Sequence, residues 1–170
     1  DLPNNLRAVL VDTKGPEIRT GPLPGNEEVA QIVTGSKVIL TTQDVTNMPI
    51  PDDDDSTLYL HVDYSSIATT VSVDDLVLLD DGLIALKVEE VDAANGLVVC
   101  AALNGGPIKK NKGVNLPGNQ LDLPALTDKD KADLQWACEM GADFVAASFI
   151  RTGANVRSVV AYLDRCIAKL

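Results

Sequence analysis

The chain is short of the residues that build cross-linked or metal-clustered folds. It has three cysteines in 170 residues. Cys100, Cys138 and Cys166 are odd in number, widely spaced and set among apolar neighbours, which excludes a disulfide framework. They read as buried, reduced thiols of a cytoplasmic protein rather than as metal ligands. The one histidine, His61, lies in a strand-like run and reads as an ordinary strand residue. Positive charge is scarce: 14 Lys and Arg against 25 Asp and Glu give a formal charge of -11. That balance argues against a nucleic-acid partner, but not against nucleotide binding, for which a few local cations suffice. No apolar run reaches membrane length and no secretory signal is visible, so no membrane partner is expected. The first residue is Asp1 rather than methionine, which suggests a piece of something longer. What remains is 45% apolar, enough for one or two small domains with real cores.

The densest chemistry lies in VDTKGPEIRTG, Val11 to Gly21. It follows Arg7 to Val11 (RAVLV), a nearly continuous apolar run of the kind found in a strand covered on both faces. Asp12 and Thr13 then fall at the strand's carboxyl end, where α/β folds gather their functional groups. A carboxylate beside a hydroxyl is hard-oxygen chemistry, suited to an alkali or alkaline-earth cation. Gly15-Pro16 turns the chain. Arg19 adds a planar guanidinium that matches phosphate oxygens bidentately, and Lys14 a point charge. On these residues alone, a surface turn with ordinary charges remains an equal alternative.

After Gly21 the texture is β, with runs at Ser36 to Thr42, Thr57 to Val62, Asp75 to Asp80, Gly82 to Val91 and Gly96 to Leu103. Turn signals such as Asn95-Gly96 and Asn104-Gly105-Gly106 separate them. Short strands at this spacing predict a small barrel. Met48 to Asp55, with Pro49, Pro51 and consecutive aspartates, reads as an exposed loop. From Asp122 the pattern changes. Thr127 is a good N-cap for a helix with Asp128 and Asp130 in its first turn, and Leu134, Ala137 and Cys138 share one face; Gly141 stops it. Phe144 to Ile150 (FVAASFI) reads as a second fully buried strand. A second helix follows, with Val156, Val159, Val160, Leu163 and Ile167 on one stripe. Trp136 reads as packing. The order strand, β insert, helix, strand, helix is a slice of a βα barrel, since a complete (β/α)8 barrel takes about 250 residues. The expected fold class is therefore α/β: a partial (β/α)8 barrel interrupted by a small all-β barrel. The expected divisions are 1–21, 22–121 and 122–170.

VDTKGPEIRTG, DDGLI (Asp80 to Ile84), KGVNLPG (Lys112 to Gly118), DLPALTDKDKADLQ (Asp122 to Gln135) and ASFIR (Ala147 to Arg151) occur in the order in which pyruvate kinases carry such blocks. The resemblance covers nearly the whole chain. It implies the third and fourth strands of the barrel A domain, with the mobile B domain as the insert. It further implies phosphoryl transfer from phosphoenolpyruvate to ADP, giving pyruvate and ATP, with magnesium and potassium as cofactors, in a cytoplasmic homotetramer.

Carried over by position, the resemblance makes Asp12 and Thr13 potassium ligands, Thr13 through its carbonyl or its hydroxyl. It makes Arg19 and Lys112 the groups that reach the nucleotide phosphates. The family often has a second basic residue just before the lysine. Here that place holds Asn111, with Lys109 and Lys110 nearby. Asp81 matches a lid aspartate, against the alternative of a turn acid in Asp80-Asp81-Gly82. Ser148 could join the ion network. Phe149 could wall the substrate pocket, although core packing at a strand end is the stronger reading. Lys14, Glu17 and Arg151 read at least as well as structural ion-pairing residues. The catalytic lysine, the acidic magnesium ligands and the rest of the potassium site have no matching positions, so the chain is expected to be inactive alone. Gly21 to Gly25 and Pro117 to Pro124 are candidate hinges. The acidic run Asp52 to Asp55 reads as a solvated tip rather than a divalent site. A stand-alone, non-catalytic phosphate- or nucleotide-binding module is the alternative from another class.

Overall fold

The computed structural model describes residues 7–48 and 57–170; from residue 49 onward, the loop expected over Met48 to Asp55 lies outside them, as does the Asp52 to Asp55 tip. The chain divides into two compact units. One is Ile18–Asp122; the other takes in Leu123–Leu170 and the segment before Ile18. Arg19 therefore falls within the β unit, although the first division was expected after Gly21.

Among the described residues the β unit holds nine strands: β2 (Ile18–Arg19), β3 (Val29–Ile32), β4 (Lys37–Thr41), β5 (Leu58–His61), β6 (Leu76–Leu79), β7 (Ile84–Asp92), β8 (Leu97–Ala102), β9 (Gly106–Lys109) and β10 (Gly113–Asn115), with a one-turn helix α1 (Ile67–Thr70). Seven of them form one sheet in the order β2-β10-β6-β7-β8-β4-β5, while β3 and β9 pair separately. The two outer strands of the sheet meet through an antiparallel bridge, Thr20↔Val62. There the Gly21 N–H donates to the His61 carbonyl at 2.9 Å and the Asp63 N–H to the Arg19 carbonyl at 3.0 Å. The sheet thus curls until its edges join.

Alternation drives this closure. Val38 and Leu40, Leu58 and Leu60, Val77 and Leu79, Ile84, Leu86 and Val88, Val98, Cys100 and Ala102 all turn inward, each at most 3% exposed, as one face of a period-two strand must. At ~25 cal/mol per Å² of apolar surface, each large residue so buried contributes about 1.5–3 kcal/mol. Burial, with a smaller influence from Glu89, pushes the Cys100 thiol up to about 12, consistent with an inert core thiol.

The other unit pairs β1 (Leu10–Asp12) in parallel with β11 (Phe144–Ala146) and adds α2 (Asp128–Glu139) and α3 (Gly153–Ile167). Several sequence expectations fail here. The strands are three residues each instead of the whole of RAVLV and FVAASFI, and they are not covered on both faces: Val9 is 59%, Leu10 57% and Phe144 60% exposed. Each strand has one hydrogen-bonded neighbour, so apolar runs that suit a sheet interior stand at an edge. On α3 only Val159 of the expected stripe is buried, with Cys166, while Val156, Val160 and Ile167 are 48–59% exposed. Trp136, expected to pack, lies on the outer side of α2 at 55% exposure. Cys138 is half-buried rather than buried.

Two features of α2 do follow the sequence. Thr127 caps it, and Gly141 follows its end with a positive φ of 69°, the left-handed conformation glycine accepts most easily.

Candidate functional site

In the helical unit, the site residues gather at the carboxyl ends of β1 and β11. Register places Asp12 beside Ala146. Ser148 Oγ donates to Asp12 Oδ1 at 3.0 Å. The Ser148 N–H donates to Thr13 Oγ1 at 3.1 Å, and that hydroxyl in turn donates to the Ala146 carbonyl at 3.4 Å. Asp12, Thr13 and Ser148, inferred from separate motifs, are thus one hydrogen-bonded group. Thr13 is buried, whereas the Asp12 carboxylate is exposed.

Asp130 fastens this turn from below. It is fully buried, and its Oδ1 accepts from the Gly15 N–H at 2.9 Å. Its Oδ2 accepts from the Thr127 N–H at 2.9 Å and from Thr127 Oγ1 at 2.7 Å, while Thr127 Oγ1 caps the Asp130 N–H at 3.1 Å. This is a reciprocal capping box with a second oxygen spent on the Asp12-Thr13-Lys14-Gly15 turn. Burial alone would raise the carboxyl's pKa. Hydrogen bonds from the Thr127 side chain and backbone and from Gly15, helped by Lys129, outweigh it and leave the pKa lowered. The sequence marked Asp130 only as an acid favourable at a helix N-terminus and missed its link to Gly15, 115 positions away.

Phe149 also departs from expectation. It is 44% exposed rather than packed in a core, and its φ is 58°, a left-handed conformation that is uncommon for an aromatic residue and costs it energy. Gly15 permits it. A Cβ there would lie 2.8 Å from the Ser148 carbonyl oxygen and 2.9 Å from Phe149 Cδ2. Arg151 is a structural tie, donating from its guanidinium to the Leu123 and Pro124 carbonyls.

Arg19 and Lys112, expected to reach phosphate, both lie in the β unit. β2 and β10 are antiparallel neighbours with Arg19 opposite Gly113, so Arg19 lies beside Lys112, the residue just before β10. Their backbones interlock through Thr20, whose Oγ1 accepts from the Lys112 N–H at 2.9 Å and whose own N–H donates to the Lys112 carbonyl at 2.8 Å. The Arg19 guanidinium donates to the Asn111 carbonyl at 2.7 Å. Asn111, φ 60°, thus lends its backbone to Arg19 at the position where a basic side chain was looked for. Lys110 is paired with Glu28 at 2.6 Å, with both side chains exposed. Asp81 lies close by, its Oδ1 3.8 Å from where a Cβ on Gly113 would sit. Asp80, Asp81 and Gly82 form a turn of consecutive positive φ values, 50°, 56° and 86°. His61 sits on the seam. A Cβ on Gly21 would come 2.2 Å from His61 Nδ1, which is buried and has no hydrogen-bond partner among the described residues.

Among the described residues no group of three or more His, Cys, Asp or Glu could hold a metal ion. None of their helices is long and apolar enough to cross a membrane. A cavity of about 380 Å³ in the helical unit, lined by Cys138, Phe144, Leu163, Ile167 and their neighbours, brings no chemistry: its one acid, Asp143, accepts from the Val9 N–H at 2.9 Å.

The pyruvate kinase barrel-domain family model matches residues 2–168. A pyruvate kinase of Geobacillus stearothermophilus is 40% identical over 157 residues, 92% of this chain and 25% of that protein. One from Staphylococcus saprophyticus is 40% identical over 157 residues, with the same shares. One from Staphylococcus aureus strain USA300 is 38% identical over 161 residues, 95% of this chain and 26% of that protein. The chain spans about a quarter of the length of the curated relatives it matches.

Proposed function

This chain belongs to the pyruvate kinase family, and we propose that it supplies part of an enzyme that transfers the phosphoryl group of phosphoenolpyruvate to ADP, giving pyruvate and ATP. In this reading β1, α2, β11 and α3 belong to a (β/α)8 barrel, as its third and fourth strands with their helices, and the Ile18–Asp122 unit is the inserted lid. The observation that carries it is the placement of Arg19, on β2, beside Lys112, the residue just before β10, set by the Gly113↔Arg19 register and by the Thr20 hydrogen bonds to Lys112. Phosphoryl transfer demands positioned positive charge more than covalent chemistry from the protein. Arg19 offers a fork to two phosphate oxygens and Lys112 a point charge. A rigid β unit carrying both would bring them to the phosphates as one body and exclude water there.

Asp12 and Thr13 fit a potassium ion by donor chemistry, a carboxylate beside hard backbone oxygen. The Thr13 hydroxyl is engaged with Ala146 and Ser148, which leaves the carbonyl as the better ligand atom. Ser148 orients Asp12. Bound potassium would supply fixed positive charge at the Asp12-Thr13 turn. Magnesium, held typically by one or two carboxylates and the substrate phosphates, belongs to this reading with its ligands on later barrel strands, as the resemblance implies. A cytoplasmic homotetramer belongs to the same reading.

The test is direct. ADP and pyrophosphate should bind the chain measurably at low ionic strength, Arg19→Ala and Lys112→Ala should each weaken binding, and pyruvate formation from phosphoenolpyruvate and ADP should be absent without the rest of the enzyme. Binding unchanged in both variants would refute the assignment of the two cations. A second reading, a phosphate-binding module without catalysis, is favoured by one observation: both cations lie in the same unit. A sequenced reading frame containing no further barrel strands would select it.

A further inference from the structure

Lys112 is already engaged. Its ammonium meets the Asp80 carboxylate at 2.9 Å, with 35% of the lysine side chain and 21% of the aspartate side chain exposed. Both partners are anchored at their backbones. The Lys112 N–H and carbonyl are bonded to Thr20, and the Asp80 N–H donates to the Gly113 carbonyl at 3.0 Å. Beyond them β10 and β6 pair Val114 with Leu79. The turn that follows closes with the Gly82 N–H donating to the Leu79 carbonyl at 3.2 Å and the Leu83 N–H to the Asp80 carbonyl at 3.1 Å. Two residues 32 positions apart are therefore held side by side by the ladder, and little freedom is lost when their side chains join. This distinguishes the pair from the exposed Lys87–Asp74 and Lys110–Glu28 contacts, in which the acid is 76% exposed.

We propose that Asp80 is a positioning residue for Lys112, holding its ammonium in the phosphate-free protein so that an incoming polyphosphate must take the lysine over from the carboxylate. The inference rests on the reading of Lys112 as a phosphate ligand. A carboxylate in possession raises the threshold for any anion. A singly charged ion gains little by displacing it, whereas a diphosphate or triphosphate brings several charged oxygens to the same ammonium and to Arg19. Asp80 thereby selects the class of ligand: multiply charged phosphate chains over simple anions.

The sizes are modest and measurable. Partly exposed ion pairs with fixed geometry correspond to about a 1.4- to 5-fold change in an equilibrium. Asp80→Asn keeps the size of the side chain, and asparagine accepts the left-handed backbone found at this position, so the turn should survive. The experiment is a titration of ADP and of pyrophosphate into the unmodified chain, D80N, K112A and the double variant at low ionic strength, followed by side-chain NMR shifts. D80N is expected to tighten both ligands about 2- to 5-fold when Lys112 is present and to leave affinity unchanged when it is alanine. Equal tightening in both backgrounds would mean simple removal of a negative charge and would overturn the proposal, as would weaker binding in D80N. K112A binding as tightly as the unmodified chain would instead defeat the phosphate-ligand reading itself. Absence of binding in all four proteins would defeat both.

Discussion

Replacing Asp130 by alanine should cost the helical unit more than any surface change. The carboxylate serves two structures at once, the cap of α2 and the turn bearing Asp12 and Thr13. Its removal orphans the Gly15 and Thr127 N–H groups in a place with no exposure at residue 130. Each buried donor left unsatisfied costs about 1–3 kcal/mol, and loss of the capping interaction about 1 kcal/mol. These overlap, and solvent entering the vacated space offsets part, so the net expectation is about 2–4 kcal/mol. Asp130→Asn, which keeps one acceptor oxygen, should lose about half of that. The assay is built in: Trp136 is the chain's one tryptophan and lies within α2, so its fluorescence follows the helical unit. In urea, with a slope of about 1 kcal/mol per M for so small a unit, the midpoint should fall by at least about 2 M or the folded baseline should disappear. A midpoint within about 0.3 M of the unmodified chain would refute the claim that this carboxylate holds the unit together.

The same carboxyl gives a pH dependence. Its folded pKa is depressed, so its contribution is fully present above the ordinary aspartate range and is lost as pH falls through the folded value; the Trp136 midpoint should be level from pH 7 to about 5 and fall below about 4, with a shallower fall in Asp130→Asn. Gly21→Ala should destabilise the β unit by about 1–3 kcal/mol through collision with His61, read as a lower circular-dichroism melting midpoint; an unchanged midpoint would show that the seam yields freely. Leu60→Ala, at a site with no exposure, should cost about 2–5 kcal/mol in the strand signal while leaving the Trp136 transition in place. Simultaneous loss of both signals would show that the units do not fold independently.

How far the sequence could be read depended on whether the deciding contact was local. Period-two alternation in Val38-Ile39-Leu40 and Val98-Val99-Cys100 specified strands and inward faces, because the pleat alone decides them. The β3–β9 pair escaped notice. Val29–Ile32 follows Asn26-Glu27-Glu28, and β9 contains Pro107 opposite Gln31, where a proline weakens any strand signal. RAVLV and FVAASFI misled in the opposite sense, since apolar runs report what a strand could bury and not whether neighbours cover it. In the site, Asp12, Thr13 and Ser148 were legible from motifs and do meet. The Asp80–Lys112 contact was not, because it depends on β6 and β10 being adjacent, and Asp80 and Asp81 are indistinguishable in sequence. Phe149's left-handed backbone left no signal in residue type, though the glycine facing it did.

The seam at Thr20↔Val62 also imposes an order of events. β2 is two residues long, and it lies between β10, made near the end of the unit, and β5. During synthesis at about 5–20 residues per second, Arg19 must wait roughly 5–20 s after it is made for Val114 to follow. Hairpin neighbours such as β6–β7 and β7–β8 pair locally and early, whereas the closing strand carries the longest loop and so joins late. Arg19 is thus born first and seated last, so that a completed Arg19 environment is itself a report that the seven-stranded sheet has closed.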